Sequence, residues 1–313
     1  MVKGNKHRIS ILSAVSAALL YAISAPVSKL LLKEISPAYM AALLYLGAGA
    51  GMLAVGAVQR KMRKKSREDR LGKEDLPYVI GMIVLDIAAP ITLMIGLNVS
   101  TAATASLLNN FEIVATSVIA LVLFKETISR RLWLAIGLIT AASILLSLKD
   151  MDSISFSPGS LLILLACVFW GFENNCTKRL SHKNPLQVVV IKGFGSGTGS
   201  LGIALFLREV SFSPGYVLAA LGLGFVAYGL SIFLYVYAQR ELGAAKTSAY
   251  YAFAPFIGAA LSFVIFMEWP TVSFLIALCI MLMGAYFAST DHRVRETKAD
   301  KDTGISPKKR ACP

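Results

Sequence analysis

"TAATASLLNNFEIVATSVIALVLFKE" (101–126) and "GAAKTSAYYAFAPFIGAALSFVIFME" (243–268) carry one pattern twice. Ala102, Ala103, Ser106, Phe111 and Glu126 fall on Ala244, Ala245, Ser248, Phe253 and Glu268 at an offset of 142. Each stretch is small and apolar for long enough to cross a hydrocarbon core of about 30 Å, which takes roughly 20 helical residues. At an offset of 148, Pro37 falls on Pro185 and "GAGAG" (47–51) on "GSGTG" (195–199). A single gap between the two offsets is what two diverged copies of one unit produce.

The remaining chain has the same character. Of its 313 residues 56% are hydrophobic and 16% charged, and mean hydropathy is +0.66, outside the range of soluble domains. Ten apolar runs follow one another, at about 9–32, 37–58, 77–97, 101–124, 129–149, 158–179, 185–207, 214–238, 244–267 and 270–290. The first copy occupies 1–150, with a basic loop at 59–76, and the second 151–290. A polar tail, 291–313, reads as disordered. Five spans is an odd number, so the second copy enters the membrane from the opposite side. The expected fold is an all-α integral membrane protein of ten transmembrane helices in two inverted five-helix repeats, an arrangement many secondary transporters use.

The formal net charge of +13 follows from where the bases lie. With the N-terminus inside, 26 of the 31 Lys and Arg fall in cytoplasmic segments, and the other five are Lys29, Lys33, Lys149, Lys192 and Arg208. Topology accounts for the charge without nucleic acid, and the 60–73 run suits contact with anionic lipid. The expected location is the inner membrane of the cell, multi-pass, with both termini cytoplasmic. The first span continues past "YAISAPVS" through Leu32, so it reads as a retained helix and not as a cleaved signal.

Absences narrow the chemistry. Cys167, Cys176, Cys279 and Cys312 show no CxxC spacing, and His7, His182 and His292 lie outside the spans, so no metal, cofactor or histidine relay is expected. Neither glycine cluster is followed by Lys-Ser or Lys-Thr; both read as close helix packing and not as phosphate loops. No extramembrane segment is long enough for a catalytic or sensory domain, which sets an integral-membrane enzyme or receptor behind a transporter.

These residues resemble the EamA branch of the drug/metabolite transporter superfamily. The resemblance rests on the five-plus-five spans, the small-residue runs of the fourth and ninth spans with their terminal acids, and "FWGFENNCTKRLS" in the sixth. The family's acid-proline pair stands in the fourth span as Glu112 followed by Ile113. The ninth keeps Pro255 but has Ala254 in place of the acid. The resemblance implies a plasma-membrane transporter of small metabolites, amino acids or drugs.

An ionisable group inside a span costs roughly 2.5–3.5 kcal/mol on insertion scales, and it normally faces a partner or a wet cavity. Four stand out: Asp86, Glu112, Glu173 and Lys192. Glu112 lies near the middle of its span, where transporter sites are found, and Ala102, Ala105, Asn109, Glu112 and Thr116 share one helical stripe. It is the candidate for alternately binding a proton and the substrate's cationic group. Asp86, four residues before Pro90, reads either as a cavity wall or as an acid bonded to a neighbouring helix. Glu173 and Lys192 match in depth on consecutive antiparallel spans, as an ion pair or gate, as substrate contacts, or with Lys192 snorkelling.

Asn110, Asn174 and Asn175 are amides suited to bridging helices. Tyr21, Trp170, Tyr228, Tyr235 and Tyr251 are rings with polar tips that suit either a metabolite pocket or a helix interface, with Gln239 one turn from Tyr235. The substrate-binding set is therefore Glu112, Asn109, Asn110, Asp86, Trp170, Glu173, Asn174, Tyr228, Tyr235, Tyr251 and Tyr21. The expected activity is export or exchange of a small polar metabolite by alternating access, either proton-coupled or as a passive facilitator. The expected partners are the small molecule and the lipid bilayer, in a monomer or homodimer.

Overall fold

The computed structural model describes residues 2–62, 71–125, 127–150, 155–180, 183–211, 213–242, 247 and 250–302. Residues 63–70 of the basic loop, Glu126 and residues 303–313 of the tail lie outside that set. The helices are α1 Val2–Ala22, α2 Ser24–Leu31, α3 Pro37–Met62, α4 Leu76–Asn98, α5 Ala102–Leu108, α6 Phe111–Phe124 and α7 Arg130–Ser147. After a short antiparallel ladder of β1 (Leu148–Asp150) on β2 (Ser155–Phe156) come α8 Pro158–Leu180 and α9 Pro185–Phe206. The chain ends with α10 Pro214–Leu223, a π-helical turn Gly224–Leu230, α11 Ser231–Leu242, α12 Ala254–Phe266 and α13 Val272–Asp302.

Start signals explain several of these boundaries. Proline opens α3, α8, α9 and α10, where its missing N–H belongs to a group that has no helical partner anyway. Thr101, Ser129 and Asn184 each accept a hydrogen bond from the first-turn amides of α5, α7 and α9. Among the described residues nine spans are long and apolar enough to cross a membrane, with α1–α2, α5–α6 and α10–α11 each counting as one. The ninth span contributes α12, a shorter apolar helix of 13 residues. The last helix runs on past the membrane-length stretch to Asp302.

The packing repeats with two-fold regularity. The second span packs on the seventh (α3 on α9), the fourth on the ninth (α5 on α12) and the fifth on the tenth (α7 on α13). The third span lies along the sixth (α4 on α8), as the eighth lies along the first (α11 on α1). The glycine clusters keep the same symmetry. A Cβ on Gly47 or Gly51 would meet Leu221 or Phe225 of the eighth span; one on Gly195 or Gly199 would meet Ile83 or Ile87 of the third. Gly49 faces α9 at Gly193 and Phe194, and Gly197 faces α3 at Leu46. At Gly47 the Cβ would stand 2.1 Å from a backbone oxygen, which leaves no room for a side chain, and at the other positions small residues let the helices approach closely.

One more sign of duplication is conformational. α6 ends on Lys125 and α12 on Met267, each at φ 53° in the left-handed region, at positions equivalent under the 142 offset. Side chains rarely adopt that conformation, and each copy uses it to end the same helix.

Several spans expected as single helices are interrupted instead. Ile23 separates α1 from α2, Asn109 and Asn110 separate α5 from α6, and a turn at Ala252 and Phe253 precedes α12. The eighth span widens into its π turn, and the third carries Pro90 inside α4. Local backbone bonds with three-residue spacing, such as Glu112 N–H to the Asn109 carbonyl at 3.1 Å, replace the helical ladder at the fourth-span break.

Candidate functional site

All of these irregularities meet at one place. A cavity of about 20 Å³ is lined by Tyr21, Ala22, Ser24 and Ala25 around the first-span break, by Ser106 and Asn109 at the fourth, and by Ala254, Pro255 and Gly258 after the ninth. Leu93 and Met94 beyond Pro90 and Tyr228 of the π turn complete it. Non-helical backbone at membrane depth is tolerated where it lines an interior cavity. The volume suits one water-sized group. Ser106 Oγ and Asn109 Oδ1 are buried in this lining without a hydrogen-bond partner among the described residues, although buried polar atoms are almost always partnered.

Tyrosines extend the site in both directions. Tyr21 packs on Tyr228 and Tyr251 with ring centroids 6.0 and 5.6 Å apart, Tyr251 on Tyr235 at 5.0 Å, and Tyr228 on Tyr45 at 5.7 Å. Ser24 donates to the Tyr228 hydroxyl at 3.2 Å, and the Tyr251 and Ser231 hydroxyls lie 3.4 Å apart. Tyr45 then donates to Asp86 Oδ1 at 3.0 Å, which joins the aromatic chain to a buried charge cluster.

That cluster has three members. Lys192 Nζ lies 2.9 Å from Asp86 Oδ2 and 3.1 Å from Glu173 Oε1, and the Thr177 hydroxyl donates to the same Glu173 oxygen. The expected Glu173 and Lys192 contact is present, but Asp86 of α4 shares the lysine. Asp86 is accordingly bonded to neighbouring helices and is not among the residues lining the cavity.

Glu112 occupies a separate position. Asn109 lines the cavity, whereas Glu112 Oε1 accepts from Asn174 Nδ2 of α8 at 2.5 Å. Asn174 also reaches Thr116 Oγ1 at 3.2 Å, and Asn175 donates to the Thr116 carbonyl at 3.2 Å. Among the described residues no basic side chain forms an ion pair with Glu112.

The other candidates divide. Asn110 is buried, with its amide turned back to the Leu107 carbonyl at 3.1 Å, so it closes the end of α5. Trp170 packs in the main apolar core with Tyr45 and Tyr228. The side chain of Gln239 lies outside the described set. Tyr45, Ser24 and Thr177 were not read as site residues from the sequence, and Ser106 only as a match between the two copies. Cys167, named only among the cysteines without CxxC spacing, donates its thiol to the Leu108 carbonyl at 3.6 Å, an oxygen next to the fourth-span break. An isolated hydroxyl or thiol in an apolar span carries little signal, because such groups ordinarily bond to their own helix.

Comparison with known proteins agrees with this architecture. The EamA-like transporter family matches the chain twice, over residues 8–148 and 157–290, and the chain belongs to that family. A protein from Methanothermobacter thermautotrophicus named "Uncharacterized transporter" is 26% identical over 291 residues, covering 88% of this chain and 84% of that protein. A solved crystal structure superposes with a TM-score of 0.62 at 18% identity, covering 89% of this chain and 95% of the other, a likeness in fold alone.

Proposed function

We propose that this member of the EamA-like transporter family carries a small amine or zwitterionic metabolite across the cell membrane by alternating access, with the cavity at the crossing of its two repeats as the central site. The observation that carries this reading is the convergence of interrupted spans from both repeats on one cavity that holds two unpartnered polar atoms. Irregular backbone is costly within a bilayer, and transporters use it to build substrate sites at the interface of repeats that rock against each other. Because the cavity admits only a water-sized group, binding a metabolite requires the repeats to part.

The chemistry of the walls favours a cation. The faces of Tyr21 and Tyr228 in the cavity attract cations through their ring quadrupoles, and behind the cavity the half-buried carboxylate of Glu112 has an amide for a partner and, among the described residues, no base, so it awaits a positive group. The start of α12, at Ala254 and Pro255 in the cavity lining, presents the positive end of a helix to a substrate carboxylate. Both termini face the cytoplasm in this reading, as the distribution of the bases requires.

A thermal-shift screen of purified protein against amino acids, amines and nucleosides identifies ligands, since binding to the folded state raises its stability. Uptake of each stabilising compound into proteoliposomes follows. Saturable uptake of an amine or amino acid, lost in Glu112→Gln, is the expected result. Stabilisation and uptake confined to anionic or uncharged compounds would overturn the substrate class.

A further inference from the structure

The cluster of Asp86, Glu173 and Lys192 holds two acids and one base. Asp86 is fully buried, Glu173 is 2% exposed, and the Lys192 side chain, at 19%, is the most exposed of the three. With all three ionised the cluster carries one net negative charge, and an uncompensated charge away from water is expensive. The other titratable groups that the described residues set against it do not supply the balance. Tyr45 comes from α3, Tyr228 from the π turn, Glu112 from α6, and Cys176 from α8 itself, one turn from Glu173. Each of these is neutral or acidic. One proton on either carboxylate makes the cluster neutral.

Its position gives that proton a consequence. Asp86 belongs to the first repeat, on α4, whereas Glu173 and Lys192 belong to the second, on α8 and α9, so the lysine ties the two halves together. We propose that Asp86, Glu173 and Lys192 form a proton-binding site, in which one exchangeable proton is shared between the two carboxylates and its presence loosens the grip of α8 and α9 on α4. Without the proton, Lys192 draws both carboxylates together and the repeats are held. With it, a carboxylate O–H forms and one ion pair becomes a weaker neutral contact; when the proton sits on Asp86, the contact that weakens is the one holding α4. The proton enters from water beside Lys192 and returns there on release. The site rests on the geometry of the cluster alone; only its coupling to movement rests on alternating access.

The test requires no substrate. Full-length protein in liposomes is titrated from mildly acidic to mildly alkaline pH while infrared spectroscopy follows the C=O stretch of protonated carboxyl groups. A band that bleaches with rising pH is expected in the wild type and in Glu112→Gln, and its loss is expected in both Asp86→Asn and Glu173→Gln, where one acid and one base already balance. Disappearance of the band in Glu112→Gln, or its persistence in both cluster variants, would overturn the site; the Glu112→Gln arm decides even where a cluster variant fails to fold. For the coupling, spin labels replace Ile80 on α4 and Phe172 on α8, both exposed. Their separation should change with pH in the wild type and stay fixed in Asp86→Asn. A pH-independent separation in the wild type would remove the coupling and leave the proton site standing. Absence of any transported substrate would count against the proposed function without affecting the titration.

Discussion

Tyr45 donates its hydroxyl hydrogen to Asp86 across 3.0 Å, from one helix of the first repeat to the next, while its ring packs 5.7 Å from Tyr228 in the second. A single side chain thereby touches both polar features of the interior, the charge cluster through its oxygen and the cavity wall through its ring. Tyr45→Phe keeps the ring and leaves Asp86 Oδ1 without that donor. Hydrogen bonds to charged groups contribute about 1.5–3 kcal/mol, so a loss of that size is expected in unfolding titrations in mixed micelles. An unchanged midpoint would show that Asp86 is satisfied without Tyr45.

Lys192→Met should be more damaging than removal of either acid. It leaves two buried carboxylates facing each other, and removing one partner of a buried ion pair costs about 3–5 kcal/mol. Asp86→Asn leaves a balanced pair and should cost less. The comparison can be read as the yield of folded protein on size exclusion together with the unfolding midpoint, and equal losses in the two variants would contradict it.

The crossing of the repeats supplies a pair of controls. A Cβ on Gly224 would stand 2.1 Å from the Leu44 carbonyl oxygen, whereas one on Gly222 meets nothing within 4 Å. Gly224→Ala is therefore expected to destabilise by about 1–3 kcal/mol or more through overpacking. Gly222→Ala should be neutral or slightly stabilising, since alanine favours helix. Thermal unfolding of the two variants side by side checks the contrast.

Lys125 and Met267 hold left-handed backbone at φ 53° without being glycine. The left-handed conformation costs a residue with a Cβ roughly 1–2 kcal/mol, so Lys125→Gly and Met267→Gly should each raise stability by about 1 kcal/mol. Stability that falls in both would mean that their side chains contribute more than the strain removes.

Ser106→Ala removes a buried hydroxyl that has no partner among the described residues. No hydrogen bond is lost, so the unfolding midpoint should hold or rise. If the hydroxyl serves a ligand, the thermal shift produced by any stabilising compound should shrink in the same variant. An unchanged shift would remove Ser106 from the site.

Much of the architecture was legible in the residues themselves. Apolar run length fixed the membrane class and nearly the whole set of spans, because a bilayer imposes the same length on every crossing helix. The offsets of 142 and 148 exposed the duplication, and the odd number of spans per copy required the inversion. Glu173 and Lys192 could be paired from depth alone, since consecutive antiparallel helices place equal depths side by side. Asp86 could be recognised as buried, but its claim on the same lysine depended on α4 packing along α8, a neighbour relation that hydropathy does not encode. The helix breaks were equally hidden: nothing in "SLLNNFEIV" distinguishes a continuous polar stripe from two half-helices with a turn at Asn109 and Asn110. Periodicity along one helix determined which residues could lie inside the membrane. Only the packing of the two repeats determined which of them meet, because a cavity and an ion cluster each consist of atoms contributed by several helices at once.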